Sequence, residues 1–192
     1  MSGQLPTTPV ARSASIISQQ NTIISVTSSG RKQARQIDGQ RFAITLSYPP
    51  MTRSEFSPIK AFIMKQRSQL ESFTVIPPTE SDAQGTAGGT PTGTASAGDT
   101  SITLGGTGTG TLKAGDYIKF ANHDKVYMVV ADNSDISTGS LTIEPPLRTA
   151  VSGTDIVYDD VPFTVSLTND IQEFNIGTTE LYAYELDVVE VL

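Results

Sequence analysis

His123 is the only histidine in the 192-residue chain, and there is no cysteine. That narrows the possible chemistry before any element is placed. One imidazole cannot build a histidine metal cluster, and without thiols there is no disulfide framework, thiolate nucleophile or cysteine metal ligand. His123 lies in the polar stretch Ala121-Asn122-His123-Asp124-Lys125, which reads as an exposed turn. Serines and aspartates are plentiful enough for a Ser/His/Asp triad, but nothing like a nucleophile elbow surrounds any serine. The glycine string GGTGTGT at 105–111 superficially suggests a phosphate loop, yet Lys113 lacks the GK[ST] context and no helical pattern follows. Asp132 with Asp135, and Asp155 with Asp159 and Asp160, bring acidic oxygens to two turns where Ca²⁺ could be held. No EF-hand spacing is present, and solubilising turn aspartates explain both groups. The residues therefore offer no catalytic set, no cofactor site and no metal site, and the chain reads as a scaffold rather than an enzyme.

Composition points the same way. Hydrophobic residues make up 37% of the chain, while Thr, Ser and Gly are abundant, a mixture that favours strands and turns. No apolar run approaches the roughly 18–20 residues of a membrane span, and the first residues lack the apolar core of a signal peptide. The expectation is a soluble protein used without secretion and without a membrane. The net charge of −7 hides an asymmetry. Residues 1–78 carry nine Lys/Arg and three acids, or +6, whereas residues 79–192 carry four and seventeen, or −13. Such a bipolar chain suits an acidic neighbour for its basic part, another copy of itself included. The basic residues are scattered and the pI is about 4.6, which argues against specific nucleic-acid binding.

These patterns predict a mainly β architecture. Residues 1–15 read as a polar arm tied down by a partner. Two or three strands follow from residue 16, with Asp38-Gly39 as a turn before Phe42, Ile44, Leu46 and Tyr48, which repeat with the strand period of two. A helix is expected over about 57–70. Thr52 and Glu55 could form a capping box, but Ser57 ahead of Pro58 is the preferred start, and Phe56, Ile59, Phe62, Ile63 and Leu70 form its apolar stripe. The glycine-rich stretch 80–111 reads largely as flexible loop, with Ser101–Leu104 as a short strand. Three close strands beyond it predict a small barrel-like module. In the last strand, Tyr182, Tyr184, Leu186, Val188 and Glu190 share the better core face. One core should gather Phe42, Ile44, Leu46, Phe62, Ile63, Phe73, Val75, Leu186 and Val188. Paired prolines at 49–50, 77–78 and 145–146 stop strands and block edge pairing. The resulting division is a domain of residues 16–79 and 160–192, interrupted by a β module over 80–159.

The segments QARQIDGQRFAITLSYPPMTRSEFSPIKAFIMKQRSQLESFTVIPP and PFTVSLTNDIQEFNIGTTELYAYELDVVEVL resemble tail proteins of tailed bacteriophages, above all distal-tail and baseplate-hub proteins of the tube-fold type. The resemblance implies a tube-like β-sandwich with one flanking helix, assembled edge to edge into a ring around the tail lumen. AGDYIKFANHDKVYMV resembles the modules that decorate such rings. By this resemblance the protein is a virion component, assembled in the host cytoplasm. It would form a ring at the tail tip or baseplate and join the tail tube to hub or receptor-binding parts. A hexamer is implied, with a trimer as the alternative, and the charge split nominates Arg31, Lys32, Arg35 and Arg53 against Asp159, Asp160, Asp170 and Glu173 as contacts. Two other readings stay open: a fibre-attachment or tube-initiator protein, and a soluble carbohydrate-binding module using Tyr117, Phe120, Tyr127 and Tyr158.

Overall fold

Alternation decides the central strands. In β2 (Lys32–Ser47), Phe42, Ile44 and Leu46 are buried while the residues between them are partly covered. The computed structural model describes residues 3–176 and 180–192, so Gly177–Thr179 of the terminal segment and residues 1–2 of the arm lie outside it. Its first sheet has five strands in the order β1 (Ser13–Val26), β2, β13 (Glu185–Glu190), β10 (Phe163–Leu167) and β3 (Phe73–Val75), all antiparallel to their neighbours. Six further strands close a barrel: β4 (Pro91–Ala95), β5 (Ser101–Gly106), β6 (Tyr117–Phe120), β7 (Val126–Val129), β8 (Ser140–Glu144) and β9 (Val151–Val157). β11 (Asn175–Ile176) and β12 (Tyr182–Ala183) make a two-stranded ribbon. The described residues are mainly β with one α-helix, as the composition implied.

The helix α1 (Arg53–Lys65) begins four residues earlier than expected. Thr52, not Ser57, is the N-cap: Glu55 accepts the Thr52 backbone N–H at 2.8 Å in a capping box. That box, with Glu55 at the positive end of the helix dipole, outweighs the penalty of placing Pro58 inside. The helix stops at Lys65, and Arg67 then adopts a left-handed conformation. Leu70 therefore leaves the apolar stripe and is 72% exposed, while Phe56, Ile59 and Ile63 are buried against the sheet. Phe62 is half-buried, with its ring edge-on to Phe73. The other expected core residues share one cluster with them.

The amino-terminal arm is tied to its own chain. Leu5 donates its N–H to the Thr74 carbonyl and is buried in the sheet core, so residues 3–5 cover the edge of β3. The opposite edge, β1, has no strand beside it among the described residues.

Glycines at 80–111 do not loosen that stretch; they let two backbones cross. Thr109 and Gly88 exchange hydrogen bonds at 2.8 Å. Gly110 has φ +84, and a Cβ there would run into the Thr86 carbonyl oxygen. Only glycine fits. The flexible loop expected here is thus ordered barrel wall, and β4, which sequence reading missed, lies within it. β9 was missed as well, since TDIVYDD at 154–160 reads as turn-forming.

Two chain crossings connect barrel and sheet, and they run side by side. Val161 donates to the Ser81 carbonyl at 3.1 Å, Asp160 to the Asp82 carboxylate at 3.1 Å, and Ala83 to the Asp159 carboxylate at 3.4 Å.

Candidate assembly surface

Three features stand out: a long hairpin, a polar cleft at the other end of the sheet, and a buried charged seam.

β1 and β2 form the hairpin, turning at Thr27–Arg31, where the Thr27 N–H bonds the Arg31 carbonyl at 3.0 Å. From Ile17 to Gly39 every residue is exposed. Both faces of the ribbon are bare, including Ile23 at 58% and Val26 at 64% exposure. Aliphatic side chains on both faces of a bare ribbon are costly to leave in water, and such ribbons are not stable alone. Where the hairpin leaves the body, Asp38-Gly39 is no turn. Between the Gln19–Arg41 and Asn21–Ile37 partners β1 has one residue and β2 has three, so the pair makes a bulge, with Gly39 at φ +111. Arg31, Lys32 and Arg35 all lie in its outer half, exposed.

At the opposite end of the strands, the loop from β10 to β11 and the start of β13 enclose a cleft of about 480 Å³. Glu173, Glu185 and Asp187 line it, with Ile171 on its rim, 86% exposed. Gln172 accepts the Tyr184 hydroxyl at 2.8 Å, and Gln69 donates to the Thr168 carbonyl at 3.0 Å, which fixes the loop. Asp170 belongs to the same loop, and its carbonyl accepts the Ser68 hydroxyl. The structure thus gathers Arg31, Lys32 and Arg35 at one end and Asp170 and Glu173 at the other. Arg53, at the start of α1, stands apart from the hairpin cations, and Asp159 and Asp160 lie at the crossings between barrel and sheet. All eight are exposed, and no ion pair among the described residues joins two of them.

The seam is internal. Glu190 is fully buried; its carboxylate accepts the Phe42 N–H at 3.1 Å from the sheet and the Val126 N–H at 2.9 Å from the barrel. Lys125 donates to Glu190 and, at 2.7 Å, to Gln40, with its ammonium 4.7 Å from the Phe42 ring centroid. Burial pulls the Lys125 ammonium below lysine's ordinary range, and Glu190 opposes that shift. Tyr117 and Val126 of the barrel join the sheet's core. Sequence reading placed Glu190 on the core face but did not draw the conclusion that a carboxylate there needs partners.

Other candidate groups have structural roles. His123 is not a free turn residue: it stacks on Phe120, and its Nε2 lies 2.8 Å from the Tyr127 hydroxyl. The Asn122 amide nitrogen is engaged by the Ala150 carbonyl, so its oxygen faces His123 Nδ1 at 2.6 Å. That arrangement puts the proton on Nδ1 and leaves Nε2 to accept from Tyr127. Burial lowers the His123 pKa, and it raises that of Tyr127 to about 12. Asp132 holds the Ala114 N–H and Lys113, while Asp135 holds Ser137 and Thr138. Those bonds keep both carboxyls below the ordinary range. Tyr117, Phe120, Tyr127 and Tyr158 are buried, so they form no exposed aromatic platform for a sugar.

Residues 80–160 match the model of the family described as distal tail protein pb9, B domain. This segment is similar to a distal-tail B domain. The match covers less than half of the chain but encloses all six barrel strands. Among curated proteins, none matches the chain. The resemblance to distal-tail and baseplate-type proteins is borne out in the part of the chain that holds AGDYIKFANHDKVYMV. The match supports a structural role in a phage tail, in association with other tail proteins.

Proposed function

We propose that this distal-tail-type protein forms a homo-oligomeric ring at the tail tip or baseplate and joins the tail tube to hub or receptor-binding parts. Residues 16–79 and 160–192 are the ring-forming unit, 80–159 is the inserted module, and no catalytic step is involved. The single observation that carries this reading is the β1–β2 hairpin, bare on both faces and open along the β1 edge. A 14-residue edge strand, exposed from Ile17 onward, is a template for pairing with another chain. Arg31, Lys32, Arg35, Arg53, Asp159, Asp160, Asp170 and Glu173 are its contact residues, and they set register more than strength, since exposed pairs contribute about 0–1 kcal/mol each. Six-fold closure comes from the family likeness, with three-fold as the competitor, and assembly takes place in the host cytoplasm.

Electron cryo-microscopy of the parent virion tests the proposal. A closed ring of this chain between tube and hub is the expected result. A single copy per tail, or density only on a fibre, would replace it with the fibre-attachment reading.

A further inference from the structure

The hairpin and the polar cleft lie at opposite ends of the same strand. β2 runs from Lys32 beside the hairpin turn to Ser47 on the cleft wall. Its 16 residues span roughly 50 Å at about 3.3 Å each, so the two surfaces cannot meet within one chain. Their chemistry is complementary all the same. The hairpin's outer end presents Arg31, Lys32 and Arg35 beside exposed Ile23, Ile24 and Val26. The cleft presents Glu173, Glu185 and Asp187, with Ile171 projecting at its rim. Asp187 is already oriented by the Thr45 hydroxyl at 2.6 Å, which leaves its second oxygen open.

We infer that the hairpin tip of one copy docks into the Glu173–Glu185–Asp187 cleft of the next, making a directional head-to-tail contact between identical chains. This deepens the ring reading and rests on it. The occupant is a second copy because the same chain supplies both the cationic plug and the anionic socket, at opposite ends. The concavity beside the hairpin's foot sets Arg41 and Arg148 against a single acid, Asp38, and so offers a basic tip no acidic socket. Ile171 extends the apolar contact toward the hairpin isoleucines. A contact that uses two different patches is heterologous, so it propagates until the angle between copies closes it.

The test uses full-length protein and two neutralised variants. One is Arg31→Ala/Lys32→Ala/Arg35→Ala, and the other is Glu173→Gln/Glu185→Gln. All five positions are exposed, so both variants should keep the parent circular dichroism spectrum and melting curve. Sedimentation velocity at low salt should show oligomers for the parent and, for each variant alone, association weakened about tenfold or more. Mixed one to one, the variants retain one intact plug and one intact socket between them. They should form dimers and nothing larger. Parent-like oligomers from either variant, or no dimers in the mixture, would overturn the contact. Virion microscopy separates the two levels: a ring in which hairpin and cleft stand apart defeats this contact alone, while absence of any ring defeats the reading beneath it. A tip found instead on another tail protein, or on nucleic acid, would also overturn it.

Discussion

Lys125 Nζ, on the barrel, lies 2.5 Å from Glu190 at the end of the sheet's central strand, and both side chains are buried. The pair is a clasp rather than a source of raw stability. Two desolvated charges recover their cost only through good geometry and further hydrogen bonds, and here Phe42, Val126 and Gln40 supply them.

Removing one half should therefore hurt more than removing both. Glu190→Ala strands the Lys125 ammonium and two backbone N–H groups, and should cost about 3–5 kcal/mol in urea denaturation. Lys125→Met should cost less, because Glu190 keeps both backbone donors. In the double variant Lys125→Met/Glu190→Ala the losses should fall well short of additive, and a strictly additive cycle would show that the two residues are not coupled.

The barrel reads from sequence as a separable insert, yet it shares this seam. Replacing residues 80–160 by a short Gly/Ser linker should leave Phe42 and Phe163 without Tyr117 and Glu190 without Lys125. Circular dichroism should find that deletion poorly folded, and substantially recovered when Glu190→Leu is added. Full folding of the simple deletion would mean the seam is dispensable.

His123 should give the protein a pH response. Its folded pKa is lowered by burial, while the unfolded chain keeps about 6.5. The fold thus binds fewer protons there than the unfolded chain does. Stability is undiminished above pH ~6.5 and falls as pH drops from there through the lower folded value. Thermal melts between pH 7.5 and 5 should show that slope, and His123→Gln should flatten it. Parallel slopes for the two proteins would assign the response elsewhere.

Gly110→Ala should destabilise the barrel by about 1–3 kcal/mol, as expected for a non-glycine residue forced to positive φ beside a backbone oxygen. Gly98→Ala, at φ +93 but with open space around it, separates the two causes, since it carries the backbone strain without the clash. Equal shifts in melting temperature would remove the crossing of backbones as the reason.

What could be read ahead of the structure was whatever repeats. Phe42 to Tyr48 and Tyr184 to Glu190 announced their buried faces by alternation, and the paired prolines announced their strand ends. The helix start went wrong at Pro58 because two local rules competed there, and the capping box at Thr52 won. The barrel's glycine wall reads as loop because close backbone approach leaves no apolar pattern; its signal is the absence of side chains. The hairpin cations were legible as charge, but the bareness of Ile23 and Val26 was not. Nothing in a strand's sequence tells whether either face has a neighbour in its own chain.

The paired crossings between barrel and sheet have a mechanical consequence. A module hung from one strand swings; this one is held by two adjacent tethers bonded to each other through Ser81, Asp82 and Val161, and by the Lys125–Glu190 clasp as well. Paired tethers together with a clasp resist bending and twisting better than a single strand does. A push on the barrel should therefore reach the sheet directly instead of being lost in a hinge.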